Sequence, residues 1–473
     1  MKRILIVGGG ITGLAAAHHL GELAAAREMP VEVSILERGT RVGGPLKTIR
    51  RDGFVIEAGA DSFLTEKPAA AQLARRIGLA SELIPTRPEF RRTYVVRAGR
   101  LVEIPEGFSL LAPSRFMSVL GSPLFSTAGK LRIALEPLIP RRADSGDESL
   151  ASFVTRRLGR EVLDRVAQPL AGGIYTADPT RLSIGATMPR FVEIERKYGS
   201  VIRGLRAAEK ARAAQSSGTS GARWNLFLSF RRGMGSLVEA LQSRVGSSLR
   251  FGAEVSGIER RADSGWTVAL ASGERMAADA VICAAPAFAA ARIVRAINPE
   301  LAELLGTINY ASAAVVNMAF RMEDFPTPPD AFGFVVPIAE NRKIIAGSFS
   351  SLKYEGRAPE GALLARAFLG GVLQKGMMEL ADDEMIAAAR DEFADLLGVT
   401  AAPAIAEVQR WPDAMPQYDV GHMDRIGAIE RAAAEIPRFA LAGAAYRGVG
   451  IPDCVRSGEE AARAIFDRIA AER

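Results

Sequence analysis

The chain of 473 residues holds two cysteines, Cys283 and Cys454, and three histidines, His18, His19 and His422. Without CxxC, HExxH or any Cys/His cluster, no zinc or iron–sulfur site is expected. So few thiols also suit a reducing compartment. No apolar run is long enough to span a bilayer, which takes roughly 18 to 20 residues. Residues 1–26 begin Met1-Lys2-Arg3 and are apolar thereafter, but three consecutive glycines and a His pair interrupt them and no small-residue cleavage site follows. They read as the folded start of a cytoplasmic protein. Dense basic runs with interleaved aromatics are missing too. Lys plus Arg is 60 against 54 Asp plus Glu, a net charge of +6, and the arginines are scattered among alanines. Nucleic acid is excluded as a partner on this pattern, whereas a mildly basic surface suits a polycarboxylate substrate or an anionic membrane face.

What is present is an ordinary globular balance, with 48% hydrophobic residues, 24% charged residues and 46 glycines. At about 150 residues per domain, the length allows three domains, or two with one interrupted. Ile4–Val7 is a short apolar strand of the buried, parallel kind. Gly8-Gly9-Gly10-Ile11-Thr12-Gly13 follows at once, then an Ala/Leu-rich helix, then a strand from Val31 to Leu36 ending at Glu37. Strand, glycine turn, helix, strand and terminal acid form the dinucleotide-binding βαβ pattern. Gly8 permits the tight turn, Gly10 lets the backbone approach a pyrophosphate, and Gly13 lets the helix pack close to the strand. The helix N-terminus offers its N–H groups to the phosphates, and Glu37 is an acceptor for ribose hydroxyls. The run Glu37-Arg38-Gly39-Thr40-Arg41-Val42-Gly43-Gly44 adds a second glycine loop and an arginine, which favours a long dinucleotide such as FAD over NAD.

Further along, Phe54–Asp61 leads from a strand into a turn at Gly59. Residues 107–140 are rich in Leu, Phe and Met with Arg115, Lys130 and Arg132 among them, suited to a buried helical subdomain or to contact with a membrane face. Ser216–Gly221 reads as a flexible linker, and Asp263-Ser264-Gly265 as a hairpin turn. The chain closes with Phe439–Asp453, another strand and glycine-rich turn, before an Ala-rich helix. Two strand–glycine–helix units more than 400 residues apart imply one domain assembled from distant pieces.

These residues resemble the flavin-containing amine oxidase superfamily and, within it, the FAD-dependent, oxygen-using protoporphyrinogen and coproporphyrinogen oxidases of haem synthesis. The segments that carry the resemblance are GGGITGL with ERGTRVGG, QPLAGGIYTADPTRLSIGATMPRF (168–191), RWPDAMPQYDVGH (410–422) and AYRGVGIPDCVRSGEEAA (445–462). It implies a mixed α/β fold: a discontinuous Rossmann-like FAD domain (1–87, 222–288 and 438–473), a helical subdomain (93–190), either buried or lying on a membrane surface, and a mixed-sheet substrate domain (191–221 and 289–437). It also implies non-covalent FAD held by Gly8, Gly10, Ile11, Thr12, Gly13, Glu37, Arg38, Arg41, Gly43, Gly44, Gly59, Val255, Gly443, Gly450, Ile451, Pro452 and Asp453.

The implied activity is a six-electron oxidation of a porphyrinogen to a porphyrin by an oxidoreductase, with O2 as acceptor and hydrogen peroxide released. The alternative is an amine oxidase or a carotenoid-type desaturase on the same fold. No catalytic side chain is expected, since the flavin takes the hydride. Gly173, Phe334, Val335 and Phe368 are the implied pocket. Plant and animal protoporphyrinogen enzymes carry a propionate-pairing arginine where this chain has Thr93, so Arg92 and Arg97 stand as replacements beside Arg91. The protein is expected in the cytoplasm or at the inner membrane face, as a monomer or homodimer.

Overall fold

In the computed structural model, residues 1–144, 146–216, 226–262 and 265–472 are described. Most of the linker at Ser216–Gly221 and the tip of the Asp263 hairpin lie outside them.

The chain's first strand, β1 (Lys2–Val7), is flanked by β2 (Val31–Leu36) and by Ala280–Cys283, both parallel to it. Leu249–Arg250 extends the sheet at one edge and Phe439–Leu441 at the other. Successive side chains of a strand point to opposite faces. Ile4 and Ile6 therefore enter one core, with Leu14, Leu20, Leu237, Val455 and Phe466, while Leu5 and Val7 enter another, with Val255, Trp266, Val281 and Phe439. Both faces are covered, which explains the unbroken apolar run. The helix α1 (Ile11–Ala26) packs against the last helix, Ile451–Ala471. A Cβ at Gly458 would overlap the carbonyl oxygen of Thr12, so a glycine is needed where the two cross.

A second, seven-stranded sheet runs in the order 405–416, 310–321, 362–370, 346–349, 333–335, 93–97 and 100–103. One face packs on the helix Asp382–Leu397 through Phe334, Phe349 and Phe393. The other face looks toward the first sheet's domain and a helical layer whose core includes Leu124, Ile133, Phe153, Val166, Phe191 and Val201.

Two expected boundaries shift. Thr93–Arg97 and Arg100–Glu103, placed by sequence with the helices, pair into the large sheet, where Gly333–Val335 runs parallel to the first of them. Residues 191–205, placed with the substrate domain, join the helical core instead. The buried Glu136 carboxylate draws them in by accepting from Val201 N at 2.9 Å and Ser200 Oγ at 2.5 Å, and it pairs with the fully buried Arg157.

Candidate active site

The glycine turn after β1 and the loop after β2 meet. Gly43 N donates to Gly9 O at 2.8 Å, and Gly10 and Gly43 form an isolated parallel bridge. Glu37 braces the same junction, its two oxygens each accepting at 2.8 Å, from Gly9 N and Gly39 N. Arg41 arches back over its own loop, donating to Gly44 O at 2.6 Å, with its guanidinium 5.7 Å from the Trp411 ring. Arg38 is exposed. Val255 lies close by, because Ala253 N donates to Glu37 O at 2.9 Å.

The glycines at this junction fall into two kinds. A Cβ on Gly13 would overlap Gly8 O, and one on Gly59 would overlap Pro45 O, so these two permit close packing. A Cβ on Gly10 would meet nothing within 4 Å, and on Gly44 only Gly10 Cα at 3.7 Å. These bare positions, at the N-terminus of α1 with Ile11 and Thr12 buried behind them, form a cradle of backbone N–H groups that fits a pyrophosphate.

The C-terminal segment completes the cradle. Gly443, at φ 128°, has no atom within 4 Å of where a Cβ would stand. Its N–H donates to Ser457 Oγ at 3.0 Å. Gly450 precedes the last helix, in which Ile451, Pro452 and Asp453 form a buried first turn and Asp453 pairs with Lys67 Nζ at 2.6 Å.

The loop between Gly443 and Gly450 is propped from outside by two residues of the 410–422 segment. Tyr418 OH donates to Ala444 O at 2.6 Å and accepts from Gly448 N at 2.7 Å. His422, stacked on Tyr418 at 3.8 Å, bonds Tyr446 O through Nε2 at 2.8 Å. Because that carbonyl can only accept, Nε2 carries the proton and the buried Nδ1 is bare. Burial accordingly holds the His422 pKa below its usual value. Sequence reading noted this segment only for its resemblance; what marks Tyr418 and His422 is their burial beneath the glycine loop. Tyr418→Phe should strand the Gly448 N–H and Ala444 carbonyl, at about 1–3 kcal/mol for an unmet buried group. Equilibrium dialysis is expected to show binding of the dinucleotide weakened about tenfold.

The residues implied for the substrate lie next to this loop. Gly173 is in the helix Gln168–Tyr175, whose last residue, Tyr175, is within electrostatic range of Asp453 and accepts through its carbonyl from Gln417 Nε2. A Cβ on Gly173 would stand 3.8 Å from Val335 Cγ1 and 3.9 Å from Ala346 Cβ. Ala346 is directly opposite Phe368 across the sheet. Gly173, Val335 and Phe368 are thus brought together, with Ala346 added by the strand register.

Phe334 is corrected. As Val335's neighbour it points to the opposite face, where it is 2% exposed and packs against Phe349 and Phe393. Arg92 is corrected as well, since it makes an exposed ion pair with Asp330. Arg97 is half-buried on the strand face that carries Val95, the residue opposite Val335. Among the described residues, no group of three or more His, Cys, Asp and Glu side chains could hold a metal ion.

The model of the family of flavin-containing amine oxidoreductases matches residues 11–466. The chain belongs to that family. The protein is therefore a FAD-dependent oxidoreductase, and the two-ended backbone cradle fits such a dinucleotide. Among curated relatives, this family member is 32% identical over 464 residues to the coproporphyrinogen III oxidase of Bacillus subtilis, covering 97% of each chain. It is 30% identical over 494 residues to the protoporphyrinogen oxidase of Bos taurus, covering 98% of each. A solved structure from Exiguobacterium sp. 255-15 superposes with a TM-score of 0.85 at 30% identity over 99% of both chains.

Proposed function

We propose that this oxidoreductase converts a porphyrinogen to a porphyrin in haem biosynthesis, with O2 as the final electron acceptor and hydrogen peroxide as the by-product. The observation that carries the reading is the full-length similarity to coproporphyrinogen III and protoporphyrinogen oxidases, joined to the side-chain-free Gly173 beside Val335 and Ala346. Bound FAD supplies a two-electron hydride acceptor, and three rounds account for six electrons.

The chain's own residues bind and orient. Gly173, lacking a side chain, leaves a slot against Val335 and Ala346, and Phe368 offers an aromatic face to a pyrrole ring. Apolar walls exclude water from the reacting carbon. Aerobic incubation of the purified protein with coproporphyrinogen III and protoporphyrinogen IX should yield red porphyrin fluorescence and peroxide. Oxidation of an amine with neither porphyrinogen consumed would overturn the reading.

No helix among the described residues is long and apolar enough to cross a membrane. The helical layer nevertheless exposes Met117 (77%), Leu131 (61%) and Leu138 (72%) near Lys130 and Arg115, a composition that suits shallow insertion into an anionic lipid surface. Each leucine withdrawn from water contributes about 1.5–3 kcal/mol. Leu131→Asp with Leu138→Asp should therefore abolish sedimentation with phosphatidylglycerol-containing vesicles while leaving turnover in solution unchanged. Equal sedimentation of the variant would rule out this face.

A further inference from the structure

The pocket-side face of the large sheet carries a polar row that begins at Glu407, directly opposite Asn317, next to the row of Phe368, where Lys47 donates to Gln409 at the sheet edge. Asn317, Arg366 and Ser348 are directly opposite one another on three adjacent strands. Arg366 is two residues from Phe368, so both point to the same face, and its guanidinium is 4.9 Å from the Phe368 ring. Asn317 is 1% and Arg366 2% exposed. Asn317 Oδ1, Arg366 Nε and Ser348 Oγ are all buried without a hydrogen-bond partner. Three orphaned polar atoms in one row are unusual, since buried polar groups are nearly always satisfied.

The charge count points the same way. Beneath the row, Lys353 pairs with Asp61 at 2.9 Å and Arg357 faces Glu57 at 3.8 Å. Arg366 is left to share Asp61, at 3.5 Å, and to donate through Nη2 to Gly59 O. With Glu407, opposite Asn317, already paired with Arg51 at 2.7 Å, the three remaining cations face two carboxylates. An excess buried cation is costly unless an anion joins it. Arg366 Nε–H and the Ser348 hydroxyl are donors, and the Asn317 amide, turned by 180°, presents its NH2 group. Such a set matches a carboxylate.

We propose that Arg366, with Asn317 and Ser348, is the substrate-carboxylate site of this pocket, taking an acid side chain of the macrocycle that rests on Phe368. The proposal deepens the porphyrinogen reading and rests on it.

The test uses the FAD-loaded protein and two fluorescent probes, coproporphyrin III and its tetramethyl ester. Arg366→Met leaves Asp61 paired with Lys353, so FAD content and melting temperature should hold. Affinity for the free acid should fall about 10- to 100-fold, the range of charge-assisted hydrogen bonds, with the ester unaffected and Arg366→Lys recovering part of the loss. With coproporphyrinogen III the loss should appear in KM rather than in kcat. Equal loss for acid and ester, or no loss for the acid, would overturn the proposal. Should Arg366→Met shed FAD, Asn317→Leu and Ser348→Ala carry the same acid-against-ester comparison. Wild-type protein that makes no porphyrin would count against the underlying function instead, so the two failures are distinguishable.

Discussion

Gly10→Val is expected to give a folded, colourless protein. The argument rests on the difference between neighbouring glycines. At Gly10 an added Cβ meets no protein atom within 4 Å, so the backbone leaves room for a side chain there. The same side chain would fill the space that a pyrophosphate needs against the N-terminus of α1. FAD affinity should fall about 100-fold or more, while far-UV circular dichroism and the apoprotein's melting temperature stay as in wild type. Gly13→Ala is the contrasting case. Its Cβ would overlap Gly8 O, pushing α1 away from β1, and the expected result is a loss of several kcal/mol in stability, with cofactor loss only as a consequence. A Gly10 variant that remains fully yellow would remove the basis for placing the cofactor there.

Gly173→Leu should have the second large effect, in the opposite compartment. A Cβ at this position is in ordinary contact with Val335 and Ala346, so Gly173→Ala is tolerated and costs a few-fold in kcat/KM. Leucine adds three further carbons in the slot where the macrocycle must lie. We expect FAD absorbance to be retained and kcat/KM for a porphyrinogen to fall about 100-fold. Phe368→Ala should likewise keep FAD, with KM raised about tenfold through loss of the aromatic face. The graded series separates occlusion from a general defect, because a misfolded variant would lose the flavin along with turnover. Full activity in Gly173→Leu would exclude this slot as the substrate's seat.

Parts of the active site were legible before any coordinates. The βαβ unit announces itself because its strand, turn and helix are contiguous, and the bare glycine at Gly10 sits where the motif puts it. Glu37 follows from the same pattern, although the structure adds that its carboxylate ties Gly9 to Gly39 across the turn. The terminal GVGIPD segment could be joined to the first by its repeat of strand, glycine and helix. Sequence also isolated Gly173, Val335 and Phe368, but it could not separate Val335 from Phe334. That choice depends on which face of a three-residue strand meets the helix Gln168–Tyr175, and alternation alone leaves both options open. Arg92 was equally undecidable, since Asp330, 238 residues away, claims it.

The amino-acid order by itself determined the local turn chemistry, the buried parallel strands and the dinucleotide cradle's glycines, because backbone geometry at a glycine turn depends on residues a few positions apart. Only the tertiary structure decided that Thr93–Arg97 belongs to the large sheet, that Tyr418 and His422 hold the second glycine loop, and that Asn317, Arg366 and Ser348 stand in one row. Those relations are set by strand register and by the pairing of buried charge across distant segments, neither of which leaves a periodic trace along the chain.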